Sequence, residues 1–309
     1  MQEPHKPVMT DRVLDYLDIG DNIRVVDGTL GAGGHAERLL KNNPGITLLG
    51  IDRDKEALKT AEKRLGEFGE RVIVRQGLFG ELEDIVENLE WEGVHGVLLD
   101  LGMSSMQLDS VDRGFSYKND APLDMRMNRN ASVTAASLLN TASEKRLADI
   151  FFEYGEERKS RRLARAVVER REQKKWERTG EFTDLVEKVV GYQGRGKLPP
   201  PTRTFQALRI AVNEELDQLK QGLKAAVNVL FPGGRLVVIS YHSLEDRMVK
   251  RHFKHEAASC VCPPGMPECR CNKIVRLKNL TRKPIRPDAG EVEDNSRSKP
   301  ARLRVAEKV

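Results

Sequence analysis

The stretch Val25-Val26-Asp27-Gly28-Thr29-Leu30-Gly31-Ala32-Gly33-Gly34-His35 constrains the fold of this chain more than any other. Residues 23–26 form an apolar run that reads as a short buried strand. It ends on a carboxylate and then breaks into four glycines within seven residues. A helical pattern follows, with Ala36, Leu39 and Leu40 on one face. Strand, glycine turn and helix together bring backbone N–H groups and a helix N-terminus close to a ligand. Glycine serves where a Cβ would block that approach or where φ must be positive.

Gly31-x-Gly33-x-x-Ala36 fits the dinucleotide fingerprint in form, which leaves an NAD-dependent dehydrogenase open. Asp27, directly before the glycines, suits a cofactor with a cationic end better than a pyrophosphate. S-adenosylmethionine carries such an end, a sulfonium beside an ammonium. A second strand ends on Asp52, and an acid there can accept ribose hydroxyls in either cofactor class. A third strand at residues 71–74 runs into Gln76-Gly77-Leu78-Phe79, and a fourth at 94–100 ends on Asp100. Helical patterns lie before the first strand (8–17) and between the others (55–68 and 80–89). This alternation predicts a parallel α/β sheet covered on both faces, with its ligand at the C-terminal strand edge. Asp27, Asp52, Phe79 and Asp100 all fall at that edge.

From Asp109 to about Arg203 the strand pattern disappears. Residues 132–142, 143–155, 157–175 and 181–191 read as helices, and Gly194-Arg195-Gly196-Lys197 with Pro199-Pro200-Pro201 reads as a linker. The strand pattern then resumes. A long helix at 205–230 is stopped by Pro232-Gly233-Gly234, a fifth strand covers 235–240, and Ser243 reads as the N-cap of a helix running to His255. Residues 274–277 and 303–305 are expected to pair as a final hairpin. The reading is a discontinuous sheet domain, 1–108 with 204–309, carrying an inserted helical domain at 109–203.

No apolar run among the 309 residues approaches the ~18–20 needed to span a bilayer, so no membrane helix is expected. Met1-Gln2-Glu3-Pro4-His5-Lys6 lacks the apolar core of a signal peptide, and the expected location is the cytoplasm. The net charge of +5 is uneven. Residues 156–178 carry ten Lys/Arg against five Asp/Glu, and 273–309 carry eleven against five, so the remainder sums to −6. Such asymmetry points to an anionic macromolecular partner; a solvated charged helix is the plain alternative for the first segment. All four cysteines lie within twelve residues, as Cys260-Val-Cys262 and Cys269-Arg-Cys271. Four thiolates can hold a structural zinc, although Cys-x-Cys is tighter than the usual zinc spacing, and reduced surface thiols are the other reading.

Six separated motifs resemble one family, the bacterial RsmH (MraW) ribosomal RNA methyltransferases. They are Asp27-Gly-Thr-x-Gly-x-Gly-Gly-His35; Leu99-Asp100-Leu101-Gly102-x-Ser104-Ser105-x-Gln107-Leu108; Arg113-Gly114-Phe115-Ser116; Pro122-Leu123-Asp124-Met125-Arg126-Met127; Thr204-Phe205-Gln206-Ala207-Leu208-Arg209-Ile210; and Ile239-Ser240-Tyr241-His242-Ser243-Leu244-Glu245-Asp246-Arg247. The resemblance covers nearly the whole chain. It implies a class I S-adenosylmethionine-dependent methyltransferase (Rossmann-like) fold with an inserted all-helical domain. The implied reaction is methylation of the exocyclic N4 of a cytidine in 16S rRNA, at the decoding centre of the 30S subunit. The implied cofactor contacts are Gly33, Gly34, His35, Asp52, Phe79, Asp100 and Gln107, beside Asp27 from the reading above. No acid stands at 76–79 to bind the adenine amine, so stacking or backbone contacts are expected at Phe79.

The N4 amine is a poor nucleophile, and an acceptor near it localises its lone pair and takes a proton. Asp100, or the backbone carbonyls of Leu101 and Gly102, is expected nearest this chemistry. Tyr241 and His242 are second candidates, with a structural bond to the following turn as the other reading of His242. Arg113, Phe115, Asp124 and Arg126 sit in a loop rich in Gly, Pro, Asp and Arg, expected to grip the target nucleotide with an aromatic ring on a flipped base. Arg209 and Tyr241 are further substrate candidates, and Arg158, Arg161, Arg162 and Arg165 are expected to meet RNA phosphates. A non-catalytic RNA-binding assembly factor that has kept the fold is the rival reading from another class. The oligomeric state is open.

Overall fold

Short apolar strands alternating with helices build a seven-stranded sheet in the computed structural model, which describes residues 7–17, 20–191, 199–263, 266 and 268–309. In chain order, α1 (Thr10–Leu17), β1 (Ile23–Asp27), α2 (Gly34–Asn42), β2 (Ile46–Asp52), α3 (Lys55–Leu65), β3 (Val72–Gln76), α4 (Leu82–Glu87) and β4 (Val94–Asp100) alternate. A helical run follows: α5 (Ser105–Asp109), α6 (Ala135–Thr141), α7 (Glu144–Glu153), α8 (Ser160–Arg171), α9 (Thr179–Val190) and α10 (Pro200–Asn213). The chain then returns to the sheet through α11 (Glu215–Val229), β5 (Leu230–Ser240), α12 (Ser243–Glu256), β6 (Leu277–Asn279), α13 (Ala289–Asp294) and β7 (Arg302–Lys308).

The strand order is β3-β2-β1-β4-β5-β7-β6. The first five run parallel, and β7 lies antiparallel between β5 and β6. The central strands are buried on both faces and so read as continuous apolar runs rather than as alternation. Their period of two still sorts the side chains. Val26, Leu49, Leu99 and Val238 enter one core with Leu82, Leu219, Leu223 and Phe253. Val25, Leu48, Leu98 and Val237 enter the other, with Leu39, Leu40, Ala61 and Leu65. Strand order reverses between β1 and β4, which makes their C-terminal ends the topological switch point where such sheets bind ligands.

The chain divides into two compact units, Met1–Gly102 with Asp217–Val309, and Met103–Leu216. The expected boundaries at 108/109 and 203/204 both fall inside the second unit. For the second boundary the reason is α10: its Phe205, Ala207, Leu208 and Val212 join Leu147, Phe151, Leu163, Trp176 and Phe182 in the second unit's core. The expected linker at Pro199–Pro201 is instead the start of α10, where proline's fixed φ suits the first helical turn; Gly194 to Lys197 lie outside the described residues. The long helix expected at 205–230 is two helices, because Glu214 adopts a left-handed φ of 51° between α10 and α11.

Two further details differ from expectation. Residue 242, not Ser243, caps α12: His242 Nδ1 faces the Glu245 N–H at 3.4 Å, while the Glu245 carboxylate accepts the N–H groups of Tyr241 (2.9 Å) and His242 (3.2 Å). The terminal hairpin forms, but from Leu277–Asn279, and β7 pairs with β5 as well as with β6. Among the described residues, no helix is long and apolar enough to cross a membrane.

Candidate active site

In the sheet unit the glycine turn is stitched to its neighbouring strands by its backbone. Gly28 N–H donates to Leu98 O (2.9 Å), Leu30 N–H to Ile51 O (2.9 Å) and Gly33 N–H to Leu30 O (2.8 Å). Thr29 adds a link the sequence reading missed: its Oγ1 accepts the Asp100 N–H at 2.7 Å, tying the turn after β1 to the end of β4. The only sequence signal was a hydroxyl residue between Gly28 and Leu30. Gly33 has φ 79°, and a Cβ there would lie 3.1 Å from Leu65 Cδ1, so both its conformation and its close packing on α3 require glycine. Gly34 then opens α2 and carries His35 into its first turn.

Three carboxylates end three adjacent strands. Asp27 is 1% exposed, and its Oδ1 accepts the Thr29 N–H at 3.1 Å. Burial pushes its carboxyl from the ordinary 3.8 up to about 6, against the opposing pull of His35. Asp52 accepts two backbone N–H groups, Gly31 on Oδ2 and Asp54 on Oδ1, both at 2.8 Å. Burial still holds its carboxyl above the ordinary range, despite those bonds. Asp100 lies between two side chains, with Tyr241 Oη donating to Oδ1 at 2.9 Å and His35 Nε2 standing 3.4 Å from Oδ2.

His35 is buried, and neither ring nitrogen makes a well-formed hydrogen bond. Burial disfavours its charged form, but the Asp100 and Asp27 carboxylates outweigh this and raise its pKa. Tyr241 is held protonated: burial, then the adjacent Asp100 charge, push the phenol well above its ordinary value. Its ring rests beside Gly102, whose φ of 108° is a glycine conformation and whose missing Cβ would lie 3.3 Å from Tyr241 Cδ2. Phe79 follows β3, and its ring packs on Gly222 of α11, where a Cβ would collide with it.

Six of the residues singled out from sequence thus converge on one edge of the sheet unit: Asp27, His35, Asp52, Phe79, Asp100 and Tyr241, with Gly33 and Gly34 in the turn. Tyr241, expected at the substrate, donates its hydroxyl to Asp100. His242 serves the cap of α12, with Nε2 3.0 Å from Glu245 Oε1. Glu245 fixes the backbone of both Tyr241 and His242.

The other cofactor and nucleotide candidates, Gln107, Arg113, Phe115, Asp124, Arg126 and Arg209, belong to the second unit and are engaged inside it. Gln107 closes the capping box of α5 with Ser104. Arg113 is buried and donates to the carbonyls of Arg126 and Met127, both at 2.9 Å. Asp124 and Arg126 form a bidentate pair at 2.8 and 2.6 Å. Burial opposes the Asp124 charge, but the guanidinium more than offsets it and lowers the carboxyl's pKa. Arg209 clamps Glu215 through two bonds of 2.8 and 2.7 Å. Phe115, expected to stack on a base, is 7% exposed and part of the core, with the Arg113 guanidinium 5.9 Å from its ring centre. Its apolar ring gains more from burial beside Leu123 and Met125 than from standing in water. On α8 and just before it, Arg158, Arg161, Arg162 and Arg165 are all exposed.

Residues 2–309 match the model of the MraW methylase family. The ribosomal RNA small subunit methyltransferase H of Carboxydothermus hydrogenoformans is 46% identical, the match covering 100% of this chain and 99% of that protein. The protein of the same name from Dehalococcoides mccartyi is 48% identical, with 99% and 87% covered. A solved rRNA methylase from Streptococcus thermophilus is 12% identical at a TM-score of 0.41, with 97% and 93% covered.

Proposed function

Because the chain belongs to the MraW methylase family, we propose that it transfers a methyl group from S-adenosylmethionine to the exocyclic N4 of a cytidine in 16S rRNA, at the decoding centre of the small ribosomal subunit. Its sheet unit has the class I, Rossmann-like methyltransferase fold. The observation that carries the reading is the convergence of Asp27, His35, Asp52 and Asp100 at the switch point of that sheet. Three acids and one buried histidine without a well-formed partner make an edge suited to a ligand with a cationic centre and vicinal hydroxyls. A pyrophosphate at the same place would meet repulsion from Asp27, which disfavours the dinucleotide reading.

Asp52 is the ribose acceptor. Each of its oxygens takes one backbone N–H, which fixes the carboxylate and leaves it acceptor capacity for hydroxyls. Asp27 and the turn Gly31–Gly34 hold the charged end, with backbone N–H groups and a helix N-terminus for its carboxylate. The Phe79 ring, seated on Gly222, gives the adenine an apolar surface.

When bound, S-adenosylmethionine supplies an electrophilic methyl and a neutral thioether leaving group. The chain must hold the cytosine N4 in line with that methyl, and orientation of this kind supplies on the order of several kcal/mol of the barrier. Asp100 accepts a hydrogen bond from the amine, returns its lone pair toward the nitrogen and takes the proton that the methylated amine sheds. Tyr241 does not compete for that proton, since its phenol stays protonated. It fixes Oδ1 and leaves Oδ2, beside His35, as the working oxygen. The arginines of residues 158–165 supply phosphate contacts to folded rRNA. The substrate on this reading is the assembled 30S particle in the cytoplasm.

The test is transfer of labelled methyl to 30S subunits lacking the modification and to free 16S rRNA, with nucleoside analysis of the product. N4-methylcytidine on the subunit supports reaction, acceptor and assembly state together. Absence of label on both, with binding of S-adenosylmethionine measured on the same protein, refutes the reaction and favours an assembly factor without turnover.

A further inference from the structure

Between Glu256 at the end of α12 and Leu277 at the start of β6, none of the described residues is buried. Val261, Met266, Ile274 and Val275 are all exposed. No apolar core therefore orders the described residues of this excursion, and a short segment without a core needs a staple. Its four cysteines supply one. They are free of disulfides, and their sulfurs all lie within 4.8 Å of one another. Cys269 Sγ stands 3.4 Å from Cys271, 3.5 Å from Cys260 and 3.9 Å from Cys262, and Cys271 stands 3.9 Å from Cys260. A metal held ~2.3 Å from each of four thiolates at the corners of a tetrahedron sets its sulfurs about 3.8 Å apart.

The surrounding backbone has the features of a thiolate cage. Val261 N–H points at Cys271 Sγ and Cys262 N–H at Cys260 Sγ, both at 3.4 Å. Such N–H groups spread the negative charge of coordinated sulfur. Asn272, directly after the last cysteine, takes a left-handed φ of 46°, turning the chain back toward β6. The Arg276 N–H then bonds Glu256 O at 2.9 Å, closing the base of the excursion.

We propose that Cys260, Cys262, Cys269 and Cys271 bind one zinc ion in a closed, four-thiolate structural site that orders residues 257–276. Four thiolates with no open position favour a structural role over a catalytic one. The two Cys-x-Cys pairs bring their sulfurs together across the excursion, so the short spacing within each pair is no obstacle.

The full-length chain, purified without chelators and kept reduced, is assayed for zinc and iron by elemental analysis. The metal-depleted protein is then titrated with cobalt(II) under anaerobic conditions. Equimolar zinc, and a cobalt spectrum with tetrahedral ligand-field bands and sulfur charge-transfer bands, are expected. The Cys269→Ser, Cys271→Ser double variant is expected to lose both. Because the cobalt measurement uses the unaltered chain, it stands even if that variant fails to fold. Metal-free protein whose reduced thiols give no such spectrum overturns the site, and equimolar iron overturns the assignment to zinc. Hydrogen exchange at residues 257–276 is expected to rise on zinc removal; unchanged exchange overturns the ordering role.

Discussion

Replacing Asp27 by Asn should make the free protein more stable while weakening its hold on S-adenosylmethionine. Asp27 is almost completely buried, and burial lifts its carboxyl from 3.8 to about 6. The folded state therefore binds more protons than the unfolded state between those values. The stability contributed by this group is fully present below about 3.8 and is lost as pH rises through about 6. At 1.36 kcal/mol per pH unit, the interval corresponds to about 3 kcal/mol of destabilisation in the ionised protein. Asparagine keeps a carbonyl oxygen for the Thr29 N–H and removes the charge. Asp27→Asn should thus gain up to about 3 kcal/mol at pH 8, roughly 6–12 °C in Tm for a unit of this size. As pH falls through about 6 toward 3.8 the gain should shrink, and it should vanish below 3.8 as Asp27 becomes neutral in both states.

Thermal unfolding of the ligand-free protein and its variant across pH 4–8 reads the first half of the argument. Calorimetric titration with S-adenosylmethionine and with its uncharged-sulfur product reads the second. Loss of a carboxylate facing the cationic end should cost on the order of tenfold in affinity, about 1.4 kcal/mol, and more for the sulfonium than for the thioether. A variant no more stable than the parent at pH 8, or a difference that does not change with pH, would refute the claim that Asp27 is held ionised at a cost. Equal affinity of both proteins for both ligands would refute its role toward the cation.

Tyr241→Phe removes the hydroxyl that bonds Asp100 while keeping the ring beside Gly102; a hydrogen bond to a charged group is worth about 1.5–3 kcal/mol, so kcat/KM for methyl transfer should fall by up to roughly 10–100-fold. Asp246→Ala strips the partner from the buried Arg304, whose Nε lies 2.6 Å from Asp246 Oδ1, and from Arg302 at 3.1 Å; leaving such a charge unpaired should cost about 3–5 kcal/mol, read as a fall in Tm. Neutralising Arg158, Arg161 and Arg162 together should lower the dependence of log K on log salt for 16S rRNA by about 0.7–0.9 for each phosphate they neutralise, with S-adenosylmethionine binding unchanged; an unaltered salt slope would place the RNA elsewhere.

The parts of this fold that were legible in the sequence are those set by local chemistry. The burial of β1, β2 and β4 on both faces demands continuous apolar runs, and each run ends on the acid that stands at the strand edge. Gly31 and Gly33 of the turn were legible because a left-handed φ leaves few alternatives. Side chains whose partners are remote were not legible. Phe115 and Arg113 have the composition of a nucleotide-gripping loop, yet Phe115 lies in a core built from residues as distant as Phe205, and Arg113 bonds the carbonyls of Arg126 and Met127. Aromatic and arginine residues serve recognition and packing with the same groups, and only burial tells the two apart.

The same limit explains Tyr241 and sharpens what it does. Its hydroxyl meets Asp100 across 141 positions of sequence, because β4 and β5 pair in parallel with Asp100 opposite Ile239. That register brings the residue two places beyond Ile239 to the acid at the end of β4. A slip of one residue would turn the phenol to the other face of the sheet. The Glu245 cap on the Tyr241 backbone holds the strand end against such a slip. The position of Asp100 is thus set from three sides: by Thr29 at its backbone, by Tyr241 at one oxygen and by His35 beside the other. On the proposed mechanism this fixes the direction from which an amine can present its proton. Altering Glu245, whose carboxylate holds the backbone N–H groups of Tyr241 and His242, should then lower turnover, read as a fall in kcat for methyl transfer.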